Sequence, residues 1–80
     1  MSIKVRMFEW DANNTGHMQT RHPHIDLELL EDIVRQAKEY IKGRPDRYGN
    51  RVYGARQGRL IVWFVLKGQG RVRIFSVHEV

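Results

Sequence analysis

Gly54-Ala-Arg-Gln-Gly-Arg-Leu-Ile-Val-Trp-Phe-Val-Leu-Lys-Gly-Gln-Gly-Arg-Val-Arg-Ile-Phe-Ser-Val-His78 is the stretch that decides the fold. It reads as consecutive antiparallel strands with tight connections. Gln57-Gly58 and Lys67-Gly68-Gln69-Gly70 are hairpin turns, and the strands they join are Arg51–Arg56, Arg59–Leu66 and Arg71–Val77. The middle strand, Leu60 to Leu66, is apolar on both faces, so it belongs at the centre of a sheet with a helix over one side. Its arginine-bearing neighbours and the terminal His78 put guanidinium and imidazole groups at the rim of an apolar platform.

Working upstream, Asp26 is a helix N-cap with Glu28, Glu31 and Asp32 near the positive end of the macrodipole and Arg35, Lys38 and Lys42 toward the negative end. Leu30, Ile33, Val34, Ala37 and Ile41 recur at helical spacing, and Gly43 with Pro45 supplies a stop, so the pattern predicts one amphipathic helix over 26–42. Residues 3–8 alternate apolar and basic, as a half-buried strand does. Residues 11–24 show no periodicity and are expected to form a loop, yet they carry three of the four histidines. The order β-α-β-β-β implies a single α+β domain over 1–80: a twisted, mainly antiparallel four-stranded sheet packed on one main helix.

A chain of 80 residues builds one core, burying roughly 60% of its unfolded surface. It has no cysteine for a disulfide framework and no run near the roughly 18 apolar residues of a membrane span. Residues 2–10 mix Lys4, Arg6 and Glu9 with the apolar positions and form no signal-peptide core, so a cytoplasmic protein is the expectation. The net charge of +5 is unevenly spread: residues 1–41 hold five Lys/Arg against seven Asp/Glu, whereas residues 42–80 hold nine against two. Concentrating cations on the strand half favours a polyanionic partner, RNA above all, although an acidic protein fits the same field.

Several short motifs occur in an order that resembles the BrnT-type toxins of bacterial toxin–antitoxin pairs, which belong with the RelE-like ribonucleases. Phe8-Glu9-Trp10-Asp11 is similar to that family's opening Phe-Glu-Trp-Asp. Arg21-His22-Pro23 stands where the family has Lys-His-Gly before its helix, and it also resembles an Arg-His-Pro element of phage-associated nucleases. Gly58-Arg59-Leu60-Ile61 is similar to a Gly-Arg-Leu-Leu strand entry, and Gly70-Arg71-Val72-Arg73-Ile74-Phe75-Ser76 to a closing Gly-x-Arg-Ile-Arg-Ile-Ile-Ser. The resemblance implies a RelE/BrnT-like fold and metal-independent cleavage of RNA, ribosome-associated messenger included, restrained by an acidic or DNA-binding antitoxin protein.

Such cleavage needs a base for the 2′-hydroxyl, a cation for the dianionic transition state and an acid for the leaving 5′-oxygen, which histidine and arginine supply without a cofactor. His78 is the candidate acid or base, with Arg56 and Arg73 as transition-state cations. A regular strand sets His78 on the face of Val72 and Ile74, opposite Arg73, so a bulge or the chain end has to turn it. His17, Arg21, His22 and His24 form a second set ahead of the helix; Arg21 and His22 are its catalytic candidates, and irregular spacing with no obvious fourth ligand argues against zinc at the histidines. Arg47, Arg51, Arg59 and Arg71 are candidate phosphate contacts, with Arg47, Arg51, Arg56 and Arg59 expected to line one groove, and Tyr53 is a candidate base contact along with Tyr48. Trp63 and Phe64 read as core. A non-catalytic module binding RNA or an acidic partner on the same fold is the alternative.

Overall fold

The computed structural model describes residues 3–21 and 26–80. In chain order its elements are a short strand Met7–Phe8 (β1), helices Ala12–Arg21 (α1) and Leu27–Gln36 (α2), and strands Glu39–Lys42 (β2), Arg51–Gln57 (β3), Leu60–Leu66 (β4) and Arg71–Glu79 (β5). They form one five-stranded sheet in the order β1-β5-β4-β3-β2, with β1 parallel to β5 and every other pair antiparallel. The α+β class and the two hairpins follow the sequence pattern, except that the first turn is Gly58-Arg59 rather than Gln57-Gly58, Gln57 pairing with Leu60. The count does not: four strands on one helix become, among the described residues, five strands and two helices.

The extra strand comes out of the expected helix. Asp26 caps α2 as read, its side chain accepting from the Glu28 amide at 3.0 Å. The helix stops at Gln36 because Ala37 turns extended, at φ −61° and ψ 135°, and residues 39–42 pair with 53–56 instead. In a longer helix the Val34 carbonyl would accept from the amide of Lys38. The Tyr40 hydroxyl donates to it instead, and the Tyr40 ring packs edge-on against Phe64 with centroids 6.3 Å apart. Burial raises the Tyr40 pKa, so the phenol remains a donor. Ala37 and Ile41 fit both the helical and the alternating period, and tertiary pairing decides between them.

Face-to-face packing of α2 on the sheet makes the core. Leu30, Ile33 and Val34 meet Tyr53, Ala55, Val62, Phe64, Val72, Ile74 and Val77, all buried. Trp10 joins this side by donating its indole N–H to Glu31 at 2.6 Å, and the Arg35 guanidinium lies 5.0 Å from the Phe8 ring centroid. No helix among the described residues is long and apolar enough to cross a membrane.

The expected loop over residues 11–24 is helix α1 as far as Arg21, and residues 22–25 lie outside the described residues. Two side chains start it. Asp11 Oδ1 accepts from the amides of Asn13 and Asn14, while Asn14 Oδ1 accepts from the Asp11 amide at 2.7 Å, a reciprocal box that satisfies orphan helix donors. Asn14 is 5% exposed, and its Nδ2 donates to the carbonyls of Glu9 (2.9 Å) and Ile74 (3.2 Å). One buried amide therefore ties the helix start, the end of β1 and the last strand together.

Asn14→Ala strips the box of one acceptor and leaves two backbone carbonyls without their donor, which we expect to cost about 2 kcal/mol. Urea unfolding followed by circular dichroism reads this directly, and a loss below about 0.5 kcal/mol would refute the anchoring role.

Candidate functional site on the outer sheet face

Directly opposed residues in an antiparallel ladder share a face, so the register alone maps the side of the sheet away from α2. Between Trp63 and Phe64 the β4–β5 pairing shifts: Phe64 opposes Ile74 but Trp63 opposes Ser76, leaving Phe75 as the extra residue of a bulge. Before the bulge Arg73 opposes Val65; after it Ser76 opposes Trp63 and His78 opposes Ile61. The bulge thus brings His78 onto the same face as Arg73, where a regular strand would have separated them.

At the end of the sheet where the β3–β4 hairpin turns, this register produces a row. Glu39 of β2 opposes Arg56 of β3, Arg56 opposes Ile61 of β4, and Ile61 opposes His78 of β5. Glu39, Arg56 and His78 are exposed and Ile61 is half-buried. With strands about 4.8 Å apart, the Arg56 and His78 backbones stand roughly 10 Å from each other, and Glu39 and His78 roughly 14 Å. A carboxylate, a guanidinium and an imidazole therefore line one edge of an open face. Arg59, in the hairpin turn beside them, is exposed, and its carbonyl accepts from the Val80 amide at 2.7 Å. Glu39 had no reading of its own at the sequence level, because residues 26–42 read as one helix.

The neighbouring row is uncharged: Ile41, Gly54, Trp63 and, on β5, the hydroxyl-bearing Ser76. Trp63 is not core; it is half-buried on this outer face, whereas Phe64 is fully buried beneath α2. Its indole lies over two glycines. A Cβ at Gly54 would sit 3.1 Å from two indole carbons and 2.9 Å from Ile61 Cγ2, and one at Gly43 would sit 3.2 Å from the ring.

Other assigned residues fall elsewhere. Arg73 is not a free cation: it forms a forked ion pair with Asp11, with Nη2 to Oδ1 at 3.2 Å, and each partner holds the other charged, the Arg73 pKa being raised. Arg71 shares Glu9 (3.8 Å) with Lys67 (2.7 Å), and the Lys67 hydrogen bond lowers the Glu9 pKa. Tyr53, expected to contact a base, is buried in the core against Phe64. Arg51 opposes Leu66 and so lies on the α2 side at the far end of β3; Arg47 stacks on the exposed Tyr48 ring, 5.6 Å from its centroid, in the connection at that same end. Arg47 and Arg51 therefore do not line one groove with Arg56 and Arg59. Arg21 is the last residue of α1, His17 lies within α1, and His22 and His24 are outside the described residues. Among the described residues no three His, Cys, Asp or Glu side chains converge as a metal site would require.

No protein-family model matches the chain, and no curated protein or solved structure matches it.

Asp11 supplies an acid-sensitive link. The Arg73 hydrogen bond, with help from the Asn14 amide, lowers its pKa from 3.8 to about 2. A carboxylate depressed on folding contributes stability that is whole above its unfolded pKa and lost as pH falls through the folded one, so the window runs from about pH 4 down to about pH 2. Asp11→Asn keeps an acceptor for the helix start but removes this proton linkage. Its denaturation midpoint is expected to fall less steeply than wild type across that window, and parallel curves would refute the pairing.

Proposed function

We propose that the chain is a toxin-type, metal-independent endoribonuclease of RelE/BrnT-like fold that cuts single-stranded RNA on the outer face of its sheet. One observation carries the reading: the row Glu39, Arg56, Ile61, His78, which presents a base, a cation and an acid along one edge of an open, cationic face. Glu39 takes the proton from the 2′-hydroxyl as its oxygen bonds to phosphorus. Arg56 neutralises the charge that builds on the phosphorane, helped by Arg59. His78, as imidazolium, protonates the 5′-oxygen as the P–O5′ bond breaks, leaving a 2′,3′-cyclic phosphate and a free 5′-hydroxyl. No cofactor enters this balance. Arg73, Arg71 and Lys67 stay with their carboxylates and shape the far edge of the face. An acidic antitoxin-like protein, which the motif resemblance implies, would compete with RNA for the same cations, and ribosome-bound messenger is the substrate that resemblance suggests.

The second reading, an RNA-binding module that cuts nothing, draws on the width of the row: roughly 14 Å between the Glu39 and His78 backbones is a long reach around one phosphate. A single experiment separates the two. Purified protein is incubated with mixed-sequence single-stranded RNA in EDTA, and fragment ends are identified. Cleavage is expected to leave 2′,3′-cyclic phosphates and to fall at least about 100-fold in His78→Ala, in Glu39→Gln and in Arg56→Ala. Intact RNA that is nevertheless bound, with affinity dropping steeply as salt rises, would establish the binding module instead.

A further inference from the structure

We infer that Trp63 is the base-stacking platform of this site and selects purines at the nucleotide whose 2′-hydroxyl is the nucleophile, an inference that rests on the ribonuclease reading. The indole is held flat by absence of side chains beneath it. Any Cβ at Gly54 would press to 3.1 Å of the ring and one at Gly43 to 3.2 Å, so two glycines, one on β3 and one just past β2, make room for an aromatic plane on the outer face. Because Trp63 is two residues from Ile61 on the same strand, the ring starts about 7 Å from the acid–base row.

Direction follows from the same contacts. The ring leans from β4 across β3 toward Gly43, away from His78 on β5. It therefore lies over β3 toward β2, the strand that carries Glu39, one row and more from Glu39 itself because Gly43 pairs with Val52. It is turned from β5, where the leaving 5′-oxygen meets His78, so the nucleotide losing its 2′ proton is the one whose base reaches it. A base stacked there belongs to the nucleotide that finishes with the cyclic phosphate. On the side toward which the ring leans, the outer face carries Ile41 and Val52, apolar and half-buried or buried, which offer no hydrogen bonds to a base edge; the one hydroxyl in the row, Ser76, lies on the opposite side, on β5. Every base can stack on such a surface, and the larger rings of adenine and guanine stack more strongly than cytosine and uracil, which gives a modest purine preference.

The probe is a set of 2′-O-methyl oligoribonucleotides, which lack the nucleophile and cannot be cut, added to a Trp10→Phe protein in which Trp63 is the sole tryptophan. Purine-rich oligomers are expected to quench its emission and to bind about tenfold more weakly to Trp63→Leu, with Trp63→Phe retaining most of the affinity. On cleavable RNA, Trp63→Leu should raise KM at purine sites and lose the purine preference while kcat holds. Thermal melting of each variant confirms that the folded protein is being compared. Salt-sensitive binding with no change in Trp63 emission, or equal affinity in the leucine and phenylalanine variants, overturns the stacking assignment and leaves the cleavage reading standing. A wild-type chain that binds no RNA at all overturns both.

Discussion

Between Trp63 and Phe64 the last ladder of the sheet slips by one residue, and Phe75 is left without a partner. Side chains alternate with period two along a strand, so one extra residue exchanges the faces of everything beyond it. Val72 and Ile74 point to the core before the bulge and Val77 after it, while His78 arrives on the outer face beside Ile61. Without the slip, period two would turn Val77 outward and His78 toward the core at once. The bulge lets one strand serve the core along its whole length and still deliver a titratable group to the open side.

Charge is organised with a similar economy. The acidic first half of the chain does not simply offset the basic second half from a distance. Glu9 and Asp11, flanking Trp10 at the end of β1, are set directly against Lys67, Arg71 and Arg73. Those cations bind the N-terminal segment to the sheet, whereas Arg56 and Arg59, at the opposite end of the strands, form no ion pair among the described residues. At the hairpin end these two arginines stand with Glu39 and Glu79, next to His78, as separate exposed charges.

How far the sequence could be read depends on the range of the interaction that decides each element. The β3–β4–β5 hairpins are local, and their glycine turns and apolar strands announce them. The start of α2 is equally local, since Asp26 caps its own helix. Its end is not: whether residues 37–42 continue the helix or become β2 turns on pairing with β3 and on Tyr40 reaching back to Val34, neither of which a 3.6-residue period can distinguish. Helix α1 was invisible for the same reason. Its one local signal is Asp11-x-x-Asn14, and its anchor is the carbonyl of Ile74, 60 residues away. The site depends on the same long-range choices: Glu39 joins it only because residues 39–42 pair with β3, and Arg73 is paired only because Asp11 opens α1 beside it. His78 could be nominated, but nothing in Phe75 or its neighbours announces the bulge that turns it.

The parallel pairing of β1 with β5 carries a further consequence, for the order of folding during synthesis. Met7 and Phe8 find their partners in Arg71 and Val72, and Asn14 finds its own in Ile74, so a segment made before the hairpins docks on a strand made after them. The hairpins can close as they emerge, since their contacts are short in sequence. Residues 3–14 must wait. On the proposed reading, the row that needs His78 is absent from every nascent chain still short of that residue, and an RNA-cutting surface assembles only after the ribosome that made it has finished with β5.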